Sequence, residues 1–127
     1  MQLVRQLPEG FFSVRRVEPG AITIGDRAIG TSFLLMRDRL VEDWPVASLA
    51  ALGPEAVARI LELAPDVVIL GTGERQAFPH AKVMAEFLTR GIGIEVMDNH
   101  AAARTYNVLV SEGRNALVAF MLPGQAA

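Results

Sequence analysis

Apolar residues change their spacing along the chain, and each change marks an element. Between residues 11 and 47, short runs rich in β-forming residues, Phe12 to Val17, Ala21 to Ile24 and Ser32 to Met36, alternate with turn chemistry at Glu18-Pro19-Gly20, Gly25-Asp26-Arg27 and Arg37-Asp38-Arg39. This pattern predicts a β-meander. From Gly53 the period becomes helical, with Val57, Ile60, Leu61 and Ala64 on one face behind Pro54, which suits a first helical turn, and with Pro65 as the stop.

Val67 to Leu70 and Ala116 to Leu122 are apolar at every position, as expected of strands covered on both faces. Between them, Ala81, Met84, Ala85 and Leu88 predict the buried stripe of a helix whose outer face carries Lys82, Glu86 and Arg90, closed by Gly91. Ile92 to Met97 is the next strand. Asp98 or Asn99 can cap a helix that runs to about Glu112. Two βα crossovers over residues 66 to 122 predict strands packed right-handed onto a largely parallel sheet. The expected fold is a single α/β domain over residues 1–127, with a mixed, mostly parallel central sheet flanked by helices. Residues 1–10 form an N-terminal extension in this scheme, 11–47 the meander and 53–122 the α/β unit.

Composition narrows the function classes. Hydrophobic residues make up 51% and charged residues 20% of 127, a balance that suits one compact core. The net charge of −2, with Arg15 and Arg16 as the only local basic pair of note, gives no footprint for nucleic acid. Absence of cysteine removes disulfides and thiolate chemistry and suits a reducing compartment. The start Met1 to Pro8 lacks the apolar core of a signal peptide, and no apolar run approaches the roughly 20 residues that span a bilayer, so a cytoplasmic protein without membrane insertion is expected.

The loop Gly71-Thr72-Gly73-Glu74-Arg75-Gln76-Ala77-Phe78-Pro79 follows a strand's C-terminal end and precedes a helix, where open α/β sheets bind ligands. Its glycines could offer backbone N–H groups to an anion beside Arg75, or could serve a structural turn. Neither Gly-x-Gly-x-x-Gly nor a Gly-Lys-Ser/Thr sequence is completed, so no nucleotide cofactor is implied. On the last helix His100, Arg104, Asn107 and Ser111 share one polar stripe, while Ala102, Ala103, Tyr106, Leu109 and Val110 face the sheet. Asn107, a poor helix former, either bonds a neighbouring loop backbone or contacts a ligand. Glu95 within a strand and Asp98 at its end either pair with Arg104 or Arg75 or hold a raised pKa for acid–base work. His80 and His100 lack metal-site spacing, no serine sits in a Gly-x-Ser-x-Gly elbow, and Trp44-Pro45 reads as an anchor of the meander. No catalytic residue, metal or cofactor is assigned.

At Leu70-Gly-Thr-Gly73, Gly91-Ile-Gly-Ile-Glu-Val-Met-Asp98, Ala102, Thr105-Tyr-Asn107 and Glu112-Gly-Arg114 the sequence resembles the family of the mitochondrial respiratory complex I assembly factor three and the adipogenesis-associated domain protein, which has bacterial relatives of unassigned function. The resemblance spans nearly the whole chain and is weaker over residues 11 to 60. It implies one α/β domain with a mixed sheet and a meander alongside, no established catalysis, and a role in binding other proteins, including respiratory complex subunits. It carries over to Gly71, Gly73, Glu95, Asp98, Thr105 and Asn107. Ala103 stands where many relatives have cysteine, so no thiol role passes through that position. Asn99 stands where threonine is usual and keeps helix-capping character.

Two functions remain open. The first is a non-enzymatic interaction or assembly domain whose surface includes Gly71, Thr72, Gly73, Arg75, Phe78 and the polar stripe with Arg104. The second is a binder or enzyme for a small anion, with Glu95 or Asp98 as base. Unpaired meander edges make a homodimer a further expectation.

Overall fold

A computed structural model describes residues 2–3 and 10–123 of the chain. The two all-apolar segments are central strands, β7 (Val67–Gly71) and β9 (Ala116–Phe120). Every residue of β9 is buried, because layers of other elements cover both faces of the sheet. Parallel to β7 runs β8 (Gly93–Met97), and antiparallel to β9 runs β5 (Phe33–Met36). With β6 (Arg39–Val41) and β1 (Gln2–Leu3) the sheet has the order β1-β6-β5-β9-β7-β8, two parallel pairings and three antiparallel ones.

The predicted meander is divided between two sheets. β2 (Val14–Glu18), β3 (Ala21–Ile24) and β4 (Arg27–Ile29) form a separate antiparallel sheet, whereas Phe33–Met36 leaves them and enters the central one. Side-chain alternation explains the parting. In β3 only Ile22 and Ile24 are buried, as in a strand with one wet face, but all four residues of β5 are buried. Phe33 and Leu35 enter one core layer, and Leu34 and Met36 the other. Gln2–Leu3, within the stretch expected as an extension, pairs with β6; residues 4–9 lie outside the described residues.

One face of the central sheet carries α1 (Pro54–Glu62), α2 (Ala81–Leu88) and Trp44, whose indole N–H donates to Ala56 O at 3.2 Å. In α1 the apolar stripe buries Val57 and Ile60 as its period predicts, but Ala64 lies beyond the helix at φ +53°. The face that α2 presents to the core also differs from expectation. Phe87 is buried and Val83 and Met84 are half-buried, while Ala81, Ala85 and Leu88 are exposed. Both sets recur at helical spacing, so periodicity could not choose between overlapping apolar faces. The face that the structure turns inward is the one that carries Phe87, the helix's single aromatic residue.

The other face carries α3 (Asn99–Ser111), with the three-stranded sheet packed over it. Consecutive residues of α3 fasten that sheet. The Tyr106 hydroxyl donates to Phe12 O at 2.9 Å, and the Asn107 amide both accepts from Val14 N at 2.8 Å and donates to Val14 O at 2.9 Å. A backbone partner is what a helical asparagine next to a tyrosine suggests, although Val14 belongs to strand β2 and not to a loop.

Burial pushes the Tyr106 phenol far above the ordinary tyrosine value of 10.0; Arg37 opposes the shift and Asp38 adds to it. The folded state therefore keeps this proton where the unfolded chain loses it, so stability attributable to Tyr106 is complete below pH 10.0 and falls as pH rises past it. Urea unfolding should show the wild type losing more stability between neutral pH and pH 11 than Tyr106→Phe does, with the variant about 1 kcal/mol weaker at neutral pH for want of a donor to Phe12 O. Equal losses in the two proteins would refute a buried, neutral phenol.

Candidate functional site

The C-terminal ends of β7, β8 and β9 meet at one side chain, Asn99. It is the first residue of α3, behind Asp98, whose carboxylate caps the helix by accepting from Ala101 N at 2.9 Å. Asn99 is 5% exposed. Its Oδ1 accepts from Gly73 N at 3.1 Å, its Nδ2 donates to Met121 O at 3.1 Å, and its backbone N–H donates to Gly73 O at 2.8 Å. The residue thus ties together the loop after β7, the start of α3 and the exit of β9. Gly71 makes room for it: a Cβ there would lie 2.5 Å from Asn99 Oδ1 and 3.0 Å from the Phe120 ring. Gly73 supplies the turn, at φ +99°.

The rest of the loop is closed by its own side chains. Thr72 N donates to Met97 O at 2.9 Å, and the Thr72 hydroxyl donates to Arg75 O at 2.7 Å while accepting from Ala77 N at 3.1 Å. Gln76 Nε2 donates to Val96 O at 2.8 Å. The N–H groups of Thr72, Gly73 and Ala77 are therefore spent inside the protein and are not available to an anion.

Residues 74–78 are all exposed, with Glu74, Arg75 and Phe78 as the charged and aromatic members, the last 69% exposed. Glu95 is exposed on the terminal strand β8, and among the described residues neither Arg75 nor Arg104 pairs with it, contrary to the expected ion pair. The reason is position: on an edge strand the residue between buried Ile94 and Val96 reaches water. Arg104 is exposed on α3, whereas Asn107 leaves the supposed polar stripe and is committed to Val14. Thr105 Oγ1 lies 3.3 Å from Met97 Sδ.

Among the described residues no group of three or more His, Cys, Asp or Glu side chains is placed to hold a metal. Neither Glu95 nor Asp98 is desolvated beside a second reactive group: one carboxylate is exposed and the other is a helix cap. The arrangement offers a shaped, fixed surface. Two of its determinants, Asn99 beyond its capping character and Gln76, carry no local signal in the sequence, because their partners, Gly73, Met121 and Val96, lie at least 20 residues away in the chain.

Residues 14–121 match the family described as "Protein of unknown function (DUF498/DUF598)", and the chain belongs to it. A zebrafish protein named "NADH dehydrogenase [ubiquinone] 1 alpha subcomplex assembly factor 3" is 39% identical over 82 residues, 63% of this chain and 47% of its own length. A Francisella tularensis protein named "13 kDa major membrane protein" is 36% identical over 56 residues, 44% of this chain and 46% of its own. The chain spans about half the length of these relatives. A solved Xanthomonas campestris structure is 46% identical, with a TM-score of 0.84 and coverage of 94% of this chain and 92% of that one.

Asn99→Ala leaves the Gly73 N–H and the Met121 carbonyl without their side-chain partner and should cost about 2 kcal/mol in urea unfolding. Gly71→Ala should cost about 2 kcal/mol in the wild type by overpacking. In the Asn99→Ala background it should cost about 1 kcal/mol less, because the nearest clashing atom is gone. Strict additivity of the two substitutions would exclude the close approach.

Proposed function

We propose that this member of the DUF498/DUF598 family is a non-enzymatic, cytoplasmic protein-binding domain that acts in the manner of an assembly factor on subunits of a respiratory membrane complex. The observation that carries the proposal is Phe78, 69% exposed beside Arg75 on a loop pinned by Thr72 and Gln76. Aromatic residues and arginine dominate protein-binding hot spots, and a ring whose backbone is already held loses little freedom on docking. Arg104 on α3 adds a second exposed cation. The names of the relatives support the partner class: one is called a complex I assembly factor and one a membrane protein. Among the described residues no helix is long and apolar enough to cross a membrane, so contact with such a complex would be peripheral. The competing use of the loop, to hold a small anion on the Gly71–Gly73 amides with Glu95 or Asp98 as base, lacks free amides at Thr72 and Gly73.

The deciding experiment is affinity capture from the native cell extract with tagged wild type and Arg75→Ala/Phe78→Ala. Capture of respiratory complex subunits by the wild type, reduced roughly tenfold or more in the double variant, is the expected result. Unchanged capture by the variant would remove this surface from the function. A wild type that captures no protein and retains a small molecule in native mass spectrometry would replace the proposal with ligand binding.

A further inference from the structure

A groove of about 510 Å³ lies between α1 and α2. Its floor is apolar, with Val57 buried and Leu61 and Val83 half-buried, and its rim carries Lys82 and Arg90. Arg90 is already paired with Glu86 at 2.9 Å, whereas Lys82 has no ion pair among the described residues. Phe78 stands two residues before His80, which lines the same groove. A protruding ring and an apolar socket are therefore close together along the chain. That adjacency is what a two-fold interface requires, since each copy must present both halves of the contact.

We propose that this groove receives Phe78 of a second copy of the chain, so that the domain self-associates by a two-fold exchange of aromatic anchors. The proposal rests on the Phe78 surface described above and gives it a resting occupant, which an assembly partner would have to displace. The ring is presented at low ordering cost: Thr72 holds Ala77, Gln76 holds the loop to Val96, and Pro79 fixes the next φ. Charges match as well. Glu74, exposed on the same loop and without an ion pair among the described residues, approaches the uncompensated Lys82 on the rim of the second copy's groove. The edge of the three-stranded sheet is a poorer place for pairing, because the backbone N–H and C=O of Val14 in β2 are bonded to Asn107.

Sedimentation velocity of the full chain over a wide concentration range tests this. The wild type should show reversible monomer–dimer exchange, and Phe78→Ala should weaken it roughly thirty-fold. Ala58→Arg, at an exposed position lining the groove, should weaken it similarly while leaving the circular dichroism spectrum intact. Mixing the two variants should restore part of the association, since one intact ring then meets one intact groove. A wild type that is monomeric throughout, a dimer indifferent to both substitutions, or a monomer carrying an amphiphile in native mass spectrometry would each overturn the proposal. Ala58→Arg separates the two readings. If it is monomeric and still captures a partner, both stand. If Phe78→Ala abolishes self-association but not capture, only the partner surface fails.

Discussion

A buried side-chain amide is costly unless each of its polar atoms is bonded, and that requirement at Asn99 organises one end of the molecule. Its carbonyl takes Gly73 N–H and its amino group takes Met121 O, so the loop after β7, the N-terminus of α3 and the exit of β9 are held to one point. From that constraint follow the need for glycine at 71, where the Asn99 oxygen fills the space a Cβ would take, and the turn at Gly73. Thr72 and Gln76 add their own bonds to Met97 and Val96, which tie the loop to β8, and Phe78 stands exposed beyond them.

The parts of the fold visible in the sequence were those in which local chemistry and tertiary role coincide. β7 and β9 are apolar throughout because helices and a second sheet cover both faces, and burial at that density leaves no other pattern. Asp98 caps α3 through a bond three residues away, and Pro54 opens α1 within the same turn. The division of the meander was legible in principle, since Phe33 to Met36 lacks the alternation of Ala21 to Ile24, yet turn chemistry alone gave no reason to part them. In α2 the pattern held two overlapping apolar faces. Only the position of β8 at the sheet edge decided that Phe87 would be inside and Leu88 outside.

The site was less legible than the fold. Gly71, Thr72 and Gly73 stood out as a possible cradle because glycine frees backbone N–H groups, but whether those groups are free depends on Asn99 and Met97, both more than 20 residues downstream. Glu95 looked half-buried among apolar neighbours, a judgement that holds for a central strand and fails for an edge. Asn107 was the exception. Its awkwardness in a helix and its place beside Tyr106 pointed to a backbone partner, and Val14 is that partner.

A loop whose Thr72, Gly73 and Ala77 N–H groups are bonded within the protein has fewer donors for chemistry and a more closely held backbone for recognition. Electrostatic catalysis needs donors aimed at a place where charge develops, and here the Thr72, Gly73 and Ala77 donors are aimed inward. Docking of a partner instead gains from a rigid apolar projection, because the ordering cost has been met during folding. The same bonds that occupy the glycine amides also hold the loop that carries Phe78, which is what the proposed docking role requires. An exposed aromatic ring held this way would also be a hazard in a lone monomer, a hazard that the proposed exchange with the groove of a second copy would remove.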